Sequence, residues 1–598
     1  MRRILTAWLV WLLVAPAALQ AATVVHRLDL SDAARQQIRV HTSVSDFPPG
    51  AAEPMVWVMP VWTPGSYLVR EFARNLEQIR AEDDRGRPLR LVKLDKHRWQ
   101  VERPATGGVH LHYRIHAGEL SVRTSWLDPD FTLINATATL LYPESGQAWP
   151  QEVWLHLPEG WAGSHADLES PGPHRYRAAD YDTLVDNPVV AGRQWALSTF
   201  EVEGVPLRLV STGDLKYWDN AAAAGALQQL AAAHVRFWGE LPFGHYSFIN
   251  LLVEKGGGLE HDNNTVIMAS RFAQRDRKRW LRWLELASHE LFHAWNVRRM
   301  RPAGLTRYDL TTENYTRELW FAEGFTSYYQ SLLVHRAGLS TEEELLRRLA
   351  RRIQRAEQTP GRHVQSLEAA SFDAWIKFYR PDPQSRNSRV SYYTRGAVVA
   401  LLLDARLRKQ GRISLDRFMQ AAWQRFRDNG YRNADLYDLL EEMAGPSMAR
   451  WLQERVEGTG PLDYAVLRTS LGLELVRRPE AVQPPELPAA WLDLHFEDDS
   501  MIVSRVPDDS SLRSAGLLPG DEVIALDGYR LQRSDWQERL KTYRPGERVP
   551  LLVARRGALR SLDVQLEAVP LKKWKLRPAE KRSRGQTRRY RRWLAGKP

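Results

Sequence analysis

Hydrophobic and polar positions change rhythm twice along this chain. From residue 23 to about 205, apolar and polar positions alternate in short runs such as "PMVWVMPVW" and "VHLHYRIHAG", broken by Gly, Pro and Asp. Period-two alternation with frequent turns predicts an antiparallel β-sandwich. In the second run His110, His112 and His116 share one face, but Val109, Leu111, Tyr113 and Ile115 define the buried face and leave the histidines on the polar one. Near residue 215 the spacing becomes helical, in "NAAAAGALQQLAAAHVRFW" and "STEEELLRRLARRIQRAEQ". A mainly α domain is expected over residues 206 to 458, interrupted by "SFINLLVEKGGGLEH", which reads as a strand ending in a glycine-rich turn. After "RVEGTGPL" short strands return around "AGLLPGDEVIALDG". The expected fold class is multidomain α+β.

Length and composition sharpen this reading. A chain of 598 residues exceeds what one core supports. The absence of cysteine excludes thiolate metal ligands, cysteine nucleophiles and disulfides, so any metal chemistry must use His, Asp and Glu. The opening "MRRILTAWLVWLLVAPAALQAATVV" reads as a cleaved secretion signal over residues 1 to 22, with an uncut membrane anchor as the alternative. A secreted, periplasmic protein is the expectation. The formal charge of +11 is local: residues 571 to 598 hold 12 Lys or Arg and one acid, so the remainder sums to zero. Residues 570 to 598 are expected to form a disordered basic tail, whose Trp574, Tyr590 and Trp593 suit an anionic membrane surface. No nucleic-acid partner is expected.

The candidate chemistry lies in "ELASHELFHAWNVRRMRP", where His289, Glu290 and His293 form His-Glu-x-x-His. On a helix, two histidines four apart present their rings to one metal ion. A third ligand is needed, and Glu323 stands in the apolar "ELWFAEGFTSYY", where a carboxylate is costly without a cation or metal. Two His and one Glu would hold one zinc ion with an open position for water, and Glu290 would act as general base. Stabilising the developing oxyanion needs a further donor. Tyr392 and Tyr393 in "SYYTRGAVVALLLD" both qualify.

Together "GGLEH", "HELFHAWNVRRMRP", "LWFAEGFTSYY" and "SYYTRGAVVALLLD" resemble the glycyl aminopeptidase family of gluzincin metallopeptidases, and "WTPGSYLVREFARN" resembles that family's N-terminal domain. The resemblance implies a thermolysin-like catalytic domain and removal of N-terminal Gly or Ala from peptides. By comparison with the larger group of zinc aminopeptidases, it places Glu260 where a carboxylate binds the substrate's free amino terminus. It also chooses Tyr393, in "YTRG", as the transition-state tyrosine. Gly257 and Gly258, after Gly256, would let substrate backbone approach closely. Within the spacer before Glu323, Asp309 and Glu313 are candidates for orienting a zinc histidine.

Residues 465 to 569 are expected to form a PDZ domain, because "VSRVPDDSSLRSAGLLPGDEVIALDGYRL" resembles bacterial members of that class. Leu471, Gly472 and Leu473 in "SLGLEL" would form its carboxylate-binding loop, with peptide C-termini as partners. Two rivals stay open: an endopeptidase of the same fold with PDZ-captured substrates, and a catalytically idle peptide-binding scaffold.

Overall fold

The computed structural model describes residues 22–45, 47, 54–104, 107–478, 490–568 and 573–597. The expected signal segment lies outside them apart from Ala22. Among the described residues, no helix is long and apolar enough to cross a membrane.

The N-terminal domain is built on an eight-stranded sheet whose central strands are Gln151–His156, Val24–Asp29, Gln37–Val44 and Val109–His116. One departure from the expected antiparallel sandwich lies at its centre, where Val24–Asp29 pairs Gln151–His156 in parallel. Strand Val109–His116 alternates buried and partly exposed residues. Its His110 and His112 meet Asp84 and Glu82 on the polar face, each at 2.8 Å. A four-stranded sheet that includes Met55–Val58 shares a core with the large sheet through Trp57, Val58 and Trp99. Another, with Phe131–Ile134 and Val189–Gly192, packs Phe131, Leu133 and Val190 against Ile249, Leu251 and Val266 of the next domain. The two domains therefore share apolar core, and the boundary between them is not a free hinge.

The second domain opens with a five-stranded mixed sheet, in the order Trp195–Val202, Val205–Gly213, Tyr246–Leu252, Asn264–Ala269, Gly257–Glu260. Among the described residues the last strand pairs only with Asn264–Ala269 and so presents a free edge. Helices follow. Asp276 caps Arg277–His293 by accepting from the Arg279 amide, and Leu284, Ala287 and Leu291 bury its inner face.

The C-terminal third departs most from expectation. Leu471 and Leu473 belong to the core of the helical domain, and Leu473–Arg478 pairs antiparallel with Lys573–Pro578. Their burial corrects the assignment of Leu471, Gly472 and Leu473 to a carboxylate-binding loop. The separate C-terminal core begins near residue 490 rather than 465 and is built from Leu492, Val503, Leu512, Leu526, Val553 and Val564. It contains a four-stranded sheet and sits as an insertion between two paired strands.

The expected disordered tail is likewise folded. Ser583 and Gln586 form a capping box at the start of helix Arg584–Ala595, and Tyr590 and Trp593 are buried on the helical domain. The Trp593 indole donates to the Tyr328 hydroxyl at 2.7 Å, and that hydroxyl donates to Asp404 at 2.8 Å. Aromatic spacing, three residues apart, outweighs the charge between: the arginines face water while the rings fill the core. Burial also withdraws Tyr590 and Trp593 from any membrane surface.

Candidate active site

Helix Arg277–His293 delivers His289, Glu290 and His293 to the middle of the molecule, all buried. Glu323 arrives on a π-helical turn, Trp320–Phe325. Such a turn shifts the phase of the side chains that follow and recurs at functional sites. The π-turn crosses helix Tyr392–Gln410 at a pair of glycines: a Cβ on Gly324 would lie 2.6 Å from Gly396 Cα. Gly324 thus permits close packing on the tyrosine-bearing helix.

Three ligand atoms converge. His289 Nε2 and His293 Nε2 are 3.0 Å apart, and each lies 3.2 Å from Glu323 Oε2. Donors at zinc-binding distance on a tetrahedron lie about 3.3 Å from one another. The outer ring nitrogens are held by acceptors, His289 Nδ1 by Gln330 Oε1 at 2.8 Å and His293 Nδ1 by the Asn296 carbonyl at 2.7 Å. An Nδ1–H pointing outward leaves Nε2 for a metal. Asn296 also donates from its side chain to the Phe321 and Ala322 carbonyls, so one residue fixes both the second histidine and the turn that carries the glutamate. Asp309 and Glu313 do not orient the histidines: the Asp309 carboxylate accepts from Thr311, and Glu313 from Thr312.

The charge balance also asks for a cation. Glu260, Glu290 and Glu323 are 4%, 4% and 2% exposed around the two imidazoles. Burial alone would lower the basicity of His293, yet Glu323, Glu260 and Glu290 together push its pKa up to about 10. Burial and the charge of His293 hold His289 below its usual value. Burial favours a protonated Glu323, but the two histidines outweigh it and hold the carboxyl below its usual range. Burial pushes Glu290 well above the ordinary carboxylate value, with His293 opposing and Glu260 and Glu323 adding to the rise. A divalent ion fits this donor set and this demand for positive charge.

The free-edge strand runs past the metal site. A Cβ on Gly258 would come within 2.0 Å of Glu290 Oε1, so the glutamate occupies the space that a side chain would take. Gly257 faces Val122 of the N-terminal domain, and Glu260 lies beneath Gly65 of the same domain. Gly65 has φ of +84°, and a Cβ there would meet Glu260 Oε1 at 2.7 Å. Behind Glu260, the next two residues are bolted to the N-terminal domain. His261 Nδ1 and the Asp262 amide meet the Asp186 carboxylate at 3.1 and 2.7 Å, and Arg298 pairs with both Asp186 and Asp262.

The two tyrosines separate by position. Tyr392 is fully buried, stacked against Tyr393 and tilted on Phe378. Tyr393 is partly exposed and lies over His289, with ring centroids 6.2 Å apart. Burial, followed by Glu323, pushes the Tyr393 phenol well above its usual pKa, so it keeps its proton at neutral pH. Leu471, Gly472 and Leu473 take no part in this site.

Sequence reasoning missed Asn296, Gln330, Gly65 and the Asp186–Arg298 pair. Asn296 lies inside the quoted motif and Gly65 inside "WTPGSY", but contacts between different elements, from 25 to more than 100 residues apart, leave no local signal.

The comparisons agree with this geometry. Residues 26–193 match the Peptidase M61 N-terminal domain, and residues 282–399 match M61 glycyl aminopeptidase. No curated protein matches the chain. An aminopeptidase N family protein from Idiomarina loihiensis is similar at 28% identity and a TM-score of 0.87, over 96% of this chain and 100% of its own. An M1 zinc metallopeptidase from Deinococcus radiodurans aligns at 15% identity and a TM-score of 0.46, over 74% of this chain and 95% of its own. By the family matches and the full-length likeness, the protein is an aminopeptidase-type peptidase.

Proposed function

We propose that the protein is a one-zinc aminopeptidase that removes the first residue, Gly or Ala, from peptides. The observation that carries this reading is the position of Glu260 at the inner end of the free-edge strand, close to Glu290 and roofed by the Gly65 turn. A peptide added to that strand would meet a carboxylate and a wall where its amino terminus lies. The roof supports a small first residue, since Gly65 and Leu259 also crowd this end.

His289, His293 and Glu323 would hold the zinc, which when bound supplies a Lewis acid for the scissile carbonyl and for water. Glu290 accepts a proton from the attacking water as oxygen adds to the carbonyl carbon. As the C–N bond breaks, Glu290 returns that proton to the departing amine. Tyr393 donates its phenolic hydrogen bond to the oxygen on which charge develops. Glu260 pairs with the substrate ammonium and fixes the register.

Hydrolysis of an Ala- or Gly-initiated peptide, with its amine free or acetylated, tests this reading. Cleavage of the free peptide alone is expected. Comparable internal cleavage of both would make the enzyme an endopeptidase, and cleavage of neither would favour the scaffold. Export is proposed on the leader-like start of the sequence, and N-terminal sequencing of the protein recovered from cells checks it. The separately folded C-terminal insertion is proposed as PDZ-type on its turn residues Gly516, Gly520 and Gly528, all at positive φ. Titration with peptides of varied C-termini tests that assignment.

A further inference from the structure

Among the described residues, one cation beside the cleft has no side-chain partner. Arg123 belongs to the N-terminal domain, and its Nε is buried without a hydrogen bond. Among the described residues its side chain forms no ion pair. The loop that carries it is firmly held. Asn135 donates to the carbonyls of Val122 and Thr124, at 3.4 and 2.7 Å, and the Thr63 hydroxyl donates to the Arg123 carbonyl at 3.1 Å. Arg123 as a whole is partly exposed, yet its Nε is closed off from water and keeps a free donor that an incoming anion would satisfy.

Its neighbours do not supply one. The guanidinium of Arg70, whose charge interacts with that of Arg123, is held by the Leu68 carbonyl and the Ser66 hydroxyl, at 3.1 and 2.9 Å. The neighbouring Val122 packs against Gly257 of the edge strand, which sets the Arg123 loop beside the cleft, and the charge of Arg123 is felt at Tyr379 and Glu290.

The order of residues along the edge strand says which part of a substrate it would meet. Glu260 marks the amino terminus, Gly258 lies against Glu290 at the point of cleavage, and Gly257 faces Val122, next to Arg123. From Glu260 to Gly257 the strand advances about 10 Å. A dipeptide spans roughly 7 Å from amine to carboxylate. A side chain as long as arginine closes the difference.

We infer that Arg123 binds a carboxylate carried by the residue just beyond the scissile bond: the C-terminal carboxylate of a dipeptide, or the side chain of Asp or Glu in a longer peptide. This rests on the aminopeptidase reading and adds a preference on the leaving side of the bond, so that Glu260 and Arg123 hold the two charged ends of a short substrate.

The test uses full-length, zinc-loaded protein with Ala-Ala, Ala-Ala amide and Ala-Asp amide. Wild type is expected to favour Ala-Ala over Ala-Ala amide by roughly ten- to a hundred-fold in kcat/KM, the range of a charge-assisted hydrogen bond. A matching gain for Ala-Asp amide identifies the side-chain source, and its absence restricts the site to C-terminal carboxylates. Arg123→Gln should bring the ratio close to one, and Arg123→Lys should keep part of it. Equal cleavage of Ala-Ala and its amide by wild type would overturn the assignment and leave the aminopeptidase standing. A preference that persists in Arg123→Gln would also overturn it. Cleavage of none of the three would remove the aminopeptidase reading and this inference with it. Should Arg123→Gln fail to fold, the wild-type ratio and Arg123→Lys still decide.

Discussion

The metal cradle and the C-terminal insertion are organised in opposite ways. Around Glu323, ligands and their supports come from four segments: the His289 helix, the π-turn with Gln330 on the helix that continues it, the Tyr393 helix and the Gly65 turn of another domain. The insertion, residues 490 to 568, has its own core and meets the helical domain at a few polar contacts, such as Asn387 with the Val506 carbonyl and Asp508. The first region is a property of the whole molecule and the second is modular. Perturbations of equal chemical size should therefore have unequal consequences.

The largest effect is expected at the cradle. Glu323→Ala removes a ligand and the charge that compensates two buried histidines. Zinc affinity should fall by more than the roughly 100-fold that loss of an outer support costs, and turnover should go with it. Metal competition with a chromogenic chelator measures this; unchanged affinity would break the contrast.

Next comes the folded tail. Trp593→Ala deletes a fully buried indole and the hydrogen bond it donates to Tyr328, and should cost about 3–5 kcal/mol in denaturant unfolding. A disordered tail would show no cost.

A comparable contribution, confined to acid, comes from the N-terminal domain. His26 is buried between Thr42 and Gln151, at 2.9 and 3.1 Å, and burial lowers its pKa from 6.5 to about 4. The fold thus prefers the neutral ring, so this stability is complete above pH 6.5 and is lost as pH falls toward 4. About 3 kcal/mol is at stake, read by denaturation across that window. His26→Gln should flatten the dependence there.

The smallest effect is expected from removing the insertion. Arg478 pairs with Lys573 across the two strands that flank it, so residue 478 can be joined to 573 by a two-residue turn. Zinc binding and dipeptide turnover should stay within a few-fold of the full chain. Loss of folding would show that the insertion is integral after all.

Legibility in the sequence followed the same division. His289, Glu290, His293 and Glu323 could be read because their chemistry is local: a helical spacing, and a carboxylate in an apolar run. Tyr393 and Glu260 needed a resemblance, because a single tyrosine or glutamate carries no signal of its own. Asn296 and Arg298 were invisible, since each matters through a contact that only folding creates. The tail misled because twelve cations dominate its composition, while two rings three residues apart decide its structure. "SLGLEL" misled for a related reason: the same leucines suit a binding loop or a core, and the core claimed them.

The central claim is that the cradle binds one metal ion and that Glu290 moves the proton. Its most direct test is metal content and turnover measured side by side in wild type and Glu290→Gln. The account predicts one zinc per chain in each and turnover reduced roughly 10³-fold in the variant. Full activity in Glu290→Gln would contradict the role given to Glu290, and absence of stoichiometric metal from active wild-type protein would contradict the cradle.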